Sequence, residues 1–145
     1  MNLTIDSSVI IAALRRQERK HEACKALLAQ LNDEEHRAFE SVIVPVEVAA
    51  AIRRRTSSEE LARQVWENLL RLPFLFFVEL TRPRMESAAM IAEKTGLRGM
   101  DAIIVQVAAE NEATLVTLDE EMADKGKEII TVEEIETLLD ELKAA

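Results

Sequence analysis

The sequence predicts an α/β protein built on a mainly parallel sheet, and three observations carry that prediction. Short apolar runs at residues 3–5, 41–44, 74–80, 114–118 and 128–131 alternate with longer stretches of helical periodicity. The runs are apolar almost throughout, as strands covered on both faces must be. Helices between successive strands supply the crossovers that parallel neighbours need.

Taken in order, residues 3–5 form the first strand, and Ser7 and Ser8 then offer capping hydroxyls to a helix through V-I-I-A-A-L. A second helix, over about residues 20–32, carries Ala23, Leu27, Leu28 and Leu31 on one face. The β-branched strand at 41–44 stops at Pro45, which suits the first turn of a helix running to about residue 55. Ser57 or Ser58 caps the next helix, whose inner stripe is Leu61, Val65, Trp66, Leu69 and Leu70. Residues 74–80 form the third strand. Pro83 starts a helix that ends at Gly96, a left-handed C-cap.

Residues 100–110 have little polar face, and their β-branched content fits a helix or a strand. Length and the Ala-rich end favour a buried helix. Strands at 114–118 and 128–131 follow, and an acidic amphipathic helix over about residues 132–142 closes the chain. No repeat, low-complexity tract or linker interrupts it, so one domain spanning 1–145 is expected.

The single cysteine, Cys24, excludes an internal disulfide and a cysteine-based zinc cluster. Asp6 and the Arg15–Arg16 pair interrupt the only early apolar run, and no apolar stretch approaches the roughly 20 residues of a membrane span. A soluble, cytoplasmic protein with no membrane association is expected. The net charge of −9 argues at first against a nucleic-acid partner, but all of that excess lies in residues 110–145. Residues 1–109 hold 15 acids and 15 bases, and the bases cluster at Arg15, Arg16, Arg19 and Lys20, at Arg53 to Arg55, and at Arg82 and Arg84. These clusters read either as solvated helix faces or as a local basic rim.

Four acids stand out because their neighbours are apolar: Asp6 in L-T-I-D-S-S, Glu47 in V-P-V-E-V-A, Asp101 in G-M-D-A-I-I-V and Asp119 in L-V-T-L-D. Taken singly, Asp6, Asp101 and Asp119 serve as helix caps and Glu47 as a first-turn carboxylate favoured by the helix dipole. In a parallel sheet, however, ligands bind beyond the C-terminal strand ends near a switch in strand order. Asp6, Glu47 and Asp119 fall on that rim. Carboxylates gathered in apolar surroundings need a positive charge. No Lys or Arg lies beside three of them, and only Arg98 is near Asp101. A divalent metal would supply the charge.

With I-D-S-S-V-I-I-A, P-V-E-V-A-A-A, G-M-D-A-I-I-V-Q-V-A and L-V-T-L-D in this order, the chain resembles the PIN-domain nucleases, and among them the VapC-type toxins of toxin–antitoxin pairs. The resemblance covers residues 2 to about 131. It implies a three-layer α/β/α sandwich with strand order 3-2-1-4-5, and an acidic pocket binding Mg2+ or Mn2+ through Asp6, Glu47, Asp101 and Asp119. It also implies orienting hydroxyls at Ser8 and Thr117, and a further acid among Glu120, Glu121 and Asp124. An RNA substrate, a small antitoxin partner and a homodimer follow as expectations. Arg98 would steer phosphate or hold Asp101, or is a plain surface arginine.

His21 and His36 read as surface residues, and Phe74, Phe76, Phe77 and Trp66 as core. Aromatic base stacking therefore has little to work with. A receiver-type signalling domain would need an acceptor Asp after the third strand, where E-L-T-R-P-R stands. A haloacid-dehalogenase-type phosphatase would need a second Asp two residues after Asp6. A non-cutting scaffold for RNA or protein fits the intact acidic quartet poorly.

Overall fold

The computed structural model, which describes residues 1–32 and 35–144, opens with β1 (Asn2–Ile5), α1 (Ser7–Leu14), α2 (His21–Gln30) and β2 (Arg37–Ser41). Then come α3 (Ile43–Thr56), α4 (Glu59–Leu69), β3 (Leu75–Val78), α5 (Arg82–Thr95) and α6 (Gly99–Glu110). The chain ends with β4 (Thr114–Val116), α7 (Glu120–Gly126), β5 (Val132–Glu133) and α8 (Ile135–Ala144).

The strands make one parallel sheet in the order β3-β2-β1-β4-β5, as the resemblance implied. The chain moves from β1 outward through β2 to β3, then crosses back to β4 and β5. Right-handed crossovers put helices made on the outward run on one face and those made on the return on the other. In accord with this, α6 packs on β1, β2 and β4 with α5 against it, while α1 packs with α2 and α3; α8, which follows the last strand and makes no crossover, folds back against α2. Leu3, Ile5, Ile104, Leu115, Met122 and Leu138 are among the fully buried side chains of the core. The switch in strand order falls beside β1, so Asp6, one residue past that strand, sits at the position where such sheets bind ligands.

Between β1 and β2 the ladder is short, with Asn2 paired to Arg37 and Leu3 to Ala38. Beyond that, side chains replace backbone partners. The Ile5 amide donates to Glu40 Oε1 at 2.8 Å, and Thr4 Oγ1 donates to the Phe39 carbonyl at 2.9 Å. On the other side β1 stays in register, Ile5 against Val116, and the Asp6 amide donates to the Val116 carbonyl at 3.0 Å.

Four elements depart from the sequence expectations. The strand read at 41–44 lies earlier, at Arg37–Ser41, and Ile43 and Val44 already belong to α3. Val44, Val48 and Ile52 fall four residues apart and are all buried, so packing of that stripe overrides the β preference of the branched residues. Residues 128–131 are not a strand; pairing with β4 begins at Val132, and the last helix starts at Ile135. The helix α7 was not anticipated.

The inner face of α4 is also narrower than the apolar pattern indicated. Ala62 and Leu69 are buried, whereas Leu61, Trp66 and Leu70 are exposed. Phe76 is exposed too, with Arg37 stacked 5.9 Å from its ring, while Phe74 is buried. His21 is not a free surface residue: its Nδ1 lies 2.7 Å from the Ala12 carbonyl and its side chain is largely covered. Asp33 and Glu34 lie outside the described residues. Caps behave as expected at Ser58, which accepts from the Leu61 amide, and at Gly96, whose φ is 75°. Among the described residues no helix is long and apolar enough to cross a membrane.

Candidate active site

Four carboxylates from separate parts of the chain line one cavity of about 960 Å³ at the C-terminal edge of the sheet. Asp6 comes from the end of β1, Glu47 from the first turns of α3, Asp101 from the first turn of α6, and Asp119 from the residue before α7. Sequence proximity brings none of them together; the crossovers do.

Asp6 is the most deeply placed, only 5% exposed. It stands at the N-terminus of α1 yet makes no side-chain cap. Its Oδ2 instead accepts hydrogen bonds from Ser8 Oγ at 2.6 Å and Thr117 Oγ1 at 2.8 Å. Both hydroxyls are fixed in turn, since Ser8 Oγ accepts from the Leu118 amide and Thr117 Oγ1 from the Asp119 amide. The two residues singled out as orienting hydroxyls thus both hydrogen-bond the first acid. Two bonds on one oxygen leave that carboxylate little rotational freedom.

Glu47 and Asp101 pay electrostatically for standing near Asp6. Burial, then the Asp6 charge, pushes Glu47 up to about 7, Asp101 adds to the rise, and the Ser7 hydroxyl opposes it. Glu47 Oε1 is buried with no hydrogen-bond partner. Burial and Asp6 likewise raise Asp101, while Arg98 pulls it down. Asp101 lies inside the first turn of α6 and does not cap it. Asp119 does cap α7, with Oδ1 accepting from the Met122 amide at 3.1 Å.

Arg98 closes the circuit. Its Nε donates to Asp101 Oδ2 at 3.2 Å and its Nη2 to Asp119 Oδ2 at 2.5 Å. It is no plain surface arginine, although its side chain is 64% exposed. Of the three candidate further acids, Glu120 and Asp124 line the cavity, whereas Glu121 is engaged by Lys125 Nζ at 2.6 Å. The basic rim is realised in part. Arg19, Lys20 and Arg55 line the same cavity, with Arg55 held by Glu18 at 3.3 Å and Lys20 by Glu136 at 3.0 Å. Arg82 and Arg84 instead pair with Glu86 and Glu110.

One acid near the site was missed by sequence reasoning. Glu40 is fully buried in β2, one oxygen accepting from the Ile5 amide and the other without a partner. Burial drives its pKa well above the usual range; the Ile5 amide opposes this and Asp6 adds to it. A charged residue inside the apolar run A-F-E-S-V was the available signal, but it reads equally as the polar face of an edge strand.

The donor set suits a hard divalent cation. Carboxylate oxygens and waters are what Mg2+ and Mn2+ take, and the orphaned Glu47 oxygen wants a positive partner. Among the described residues no three such side chains stand close enough to share an ion as they are placed. Like-charged carboxylates repel, and Arg98 draws Asp101 and Asp119 toward itself, so side-chain rotation would have to accompany binding.

A parallel 3-2-1-4-5 sheet with an acidic pocket beyond its central strand defines the class of α/β proteins to which this chain belongs. More particularly, the PIN domain profile matches residues 3–128, and the chain belongs to the PIN-domain family, a family of nucleases. Its fold is similar to that of PAE2754 from Pyrobaculum aerophilum, with TM-score 0.70 and 21% identity, covering 100% of this chain and 97% of that one. It is similar also to VapC20 of Mycobacterium tuberculosis, described as a sarcin–ricin loop cleaving toxin, with TM-score 0.73, 16% identity and coverage of 86% and 95%. A chain of VapBC2 from Rickettsia felis, bound to a promoter DNA fragment, matches with TM-score 0.66, 19% identity and coverage of 92% and 98%. No curated protein sequence matches the chain significantly.

Proposed function

We propose that this protein is a divalent-metal-dependent endoribonuclease and the toxin of a toxin–antitoxin pair, cytoplasmic and checked by a small antitoxin protein. The observation that carries this reading is the convergence of Asp6, Glu47, Asp101 and Asp119 on one cavity, with Asp6 locked by Ser8 and Thr117. Structural relatives described as toxins support the toxin role, and the resemblance of the motifs supports RNA as substrate and a homodimer as the working form.

When bound, Mg2+ or Mn2+ would supply positive charge against the phosphate and polarise the attacking water. Asp6, Asp101, Asp119 and Glu47 would hold it. Ser8 and Thr117 keep Asp6 aimed by donating to one oxygen and leave the other side of the carboxylate for the cation. Glu120 or Asp124 would assist from the cavity wall. Arg19, Lys20 and Arg55 receive the nucleic-acid backbone along the rim, and Arg98 steers the phosphate beside the acids. The exposed Trp66 and Phe76 do not line the cavity, so shape and backbone charge rather than stacking hold the substrate.

Incubation of total RNA with the wild type, Asp6→Ala and Asp101→Ala, with and without EDTA, tests the proposal. Cleavage by the wild type alone, lost in chelator and restored by Mg2+ or Mn2+, is expected. Cleavage that survives chelation, or that both variants retain, would overturn it.

A further inference from the structure

Asp101 and Asp119 belong to different helical ends, yet one side chain joins them. Arg98 is the N-cap residue of α6, three positions before Asp101, and its guanidinium gives one N–H to each carboxylate. A planar fork of donors suits two acids at once. Among the described residues, its side-chain hydrogen bonds run to these two acids. On the same cavity wall, Glu47 keeps a buried oxygen without a partner. One part of the acidic cluster is therefore neutralised from within and another is not.

Burial shows which partner stands outermost. Arg98 is 64% exposed, whereas the side chains of Asp101 and Asp119 are 16% and 29% exposed. The guanidinium lies over the acids from the solvent side. Such an ion pair is screened by water and salt, and its free energy is small beside that of a doubly charged ion held by several carboxylates. Asp119 remains anchored without Arg98, because its other oxygen caps α7 through the Met122 amide.

We infer that Arg98 is a built-in counter-ion that competes with the divalent cation for Asp101 and Asp119, so that cation binding expels the guanidinium from between them. This rests on the metal-dependent reading above. The competition weakens cation affinity by the free energy of the two Arg98 contacts, and it releases the guanidinium to the rim, where the phosphate-steering role places it. Between ions, Arg98 keeps the acids from repelling one another.

The test is calorimetric titration of the full-length protein with Mn2+ alone, in wild type, Arg98→Gln, Arg98→Lys and Lys127→Gln. Lys127 lines the same cavity and lies 3.9 Å from the exposed Asp124, beyond hydrogen-bond distance and away from Asp101 and Asp119, so its variant removes an equal charge without touching the fork. Arg98→Gln is expected to bind Mn2+ about threefold more tightly or better, on the scale of exposed ion pairs. Arg98→Lys, which keeps the charge and loses the fork, should fall between, and Lys127→Gln should stay near wild type. Equal or weaker binding by Arg98→Gln, or the same gain in Lys127→Gln, overturns the inference.

A second readout follows the Arg98 Nε–H resonance by NMR during a Mg2+ titration. It should shift in step with occupancy; a resonance unmoved at saturating Mg2+ contradicts expulsion. If wild type and Arg98→Gln bind Mn2+ equally, only the counter-ion role fails. If neither binds, the metal-dependent reading fails first and takes the inference with it.

Discussion

Thr117 donates a 2.8 Å hydrogen bond to Asp6 Oδ2, joining residues 111 positions apart. That contact ties the end of β4 to the end of β1 and aims the most buried acid of the cavity. Ser8 shares the same oxygen, and the two hydroxyls lie 3.4 Å apart.

Removing either hydroxyl should therefore misalign Asp6 without unfolding the chain. Ser8→Ala and Thr117→Val are each expected to lower RNA cleavage by roughly 10–100-fold, the usual scale for residues that orient a metal ligand. The double variant should lose less than the product of the two, because both act on one oxygen. Steady-state cleavage rates with circular dichroism as a folding control check this; a variant with wild-type rate would show that Asp6 needs no such support.

Glu40 makes a pH prediction about stability. Its unfolded value is near 4.5, and burial raises it in the fold. Above that value the unfolded chain loses the proton while the folded chain keeps it. Stability from this group thus falls as pH rises, by about 1.4 kcal/mol per unit, until the folded carboxyl itself ionises. Glu40→Gln carries no such proton. Urea denaturation between about pH 5 and 8 should show the variant gaining on wild type as pH rises. A difference that is flat with pH would mean Glu40 is already charged in the fold.

Glu47 predicts coupling between protons and the cation. Raised to about 7 from the ordinary 4.5, it costs stability as pH rises between those values and nothing further above. A ligating carboxylate must be deprotonated, so Mn2+ affinity should climb with pH up to about 7 and then level off. Calorimetry in two buffers of different ionisation enthalpy should detect proton release near neutrality, and Glu47→Gln should abolish it. Unchanged release in that variant would assign the proton to another group.

Two glycines should respond differently to alanine. Gly96 ends α5 with φ 75°, a conformation that costs a side-chain-bearing residue about 1–2 kcal/mol. Gly126 has an ordinary backbone, and an added Cβ would meet Val132 at 3.6 Å and Leu115 at 3.7 Å, normal contact distances. Thermal denaturation should show Gly96→Ala destabilised and Gly126→Ala close to wild type. Loss of stability at Gly126 instead would show that α7 and β5 cannot yield even slightly.

Apart from α7, the order of elements, the helix ends at Ser58 and Gly96, and the isolation of Asp6, Glu47, Asp101 and Asp119 among apolar neighbours were readable from the chain, because caps, turns and short motifs are encoded by neighbouring residues. Tertiary packing decided the rest. Whether the branched run at residues 41–44 is strand or helix depended on which face the core would cover, and periodicity over so short a span is blind to that. Glu40 beneath β1, Arg98 astride two acids and Thr117 on Asp6 each depend on strand register and on crossovers between distant segments. Charge and hydrogen-bond complementarity across such distances exist only once the sheet has formed.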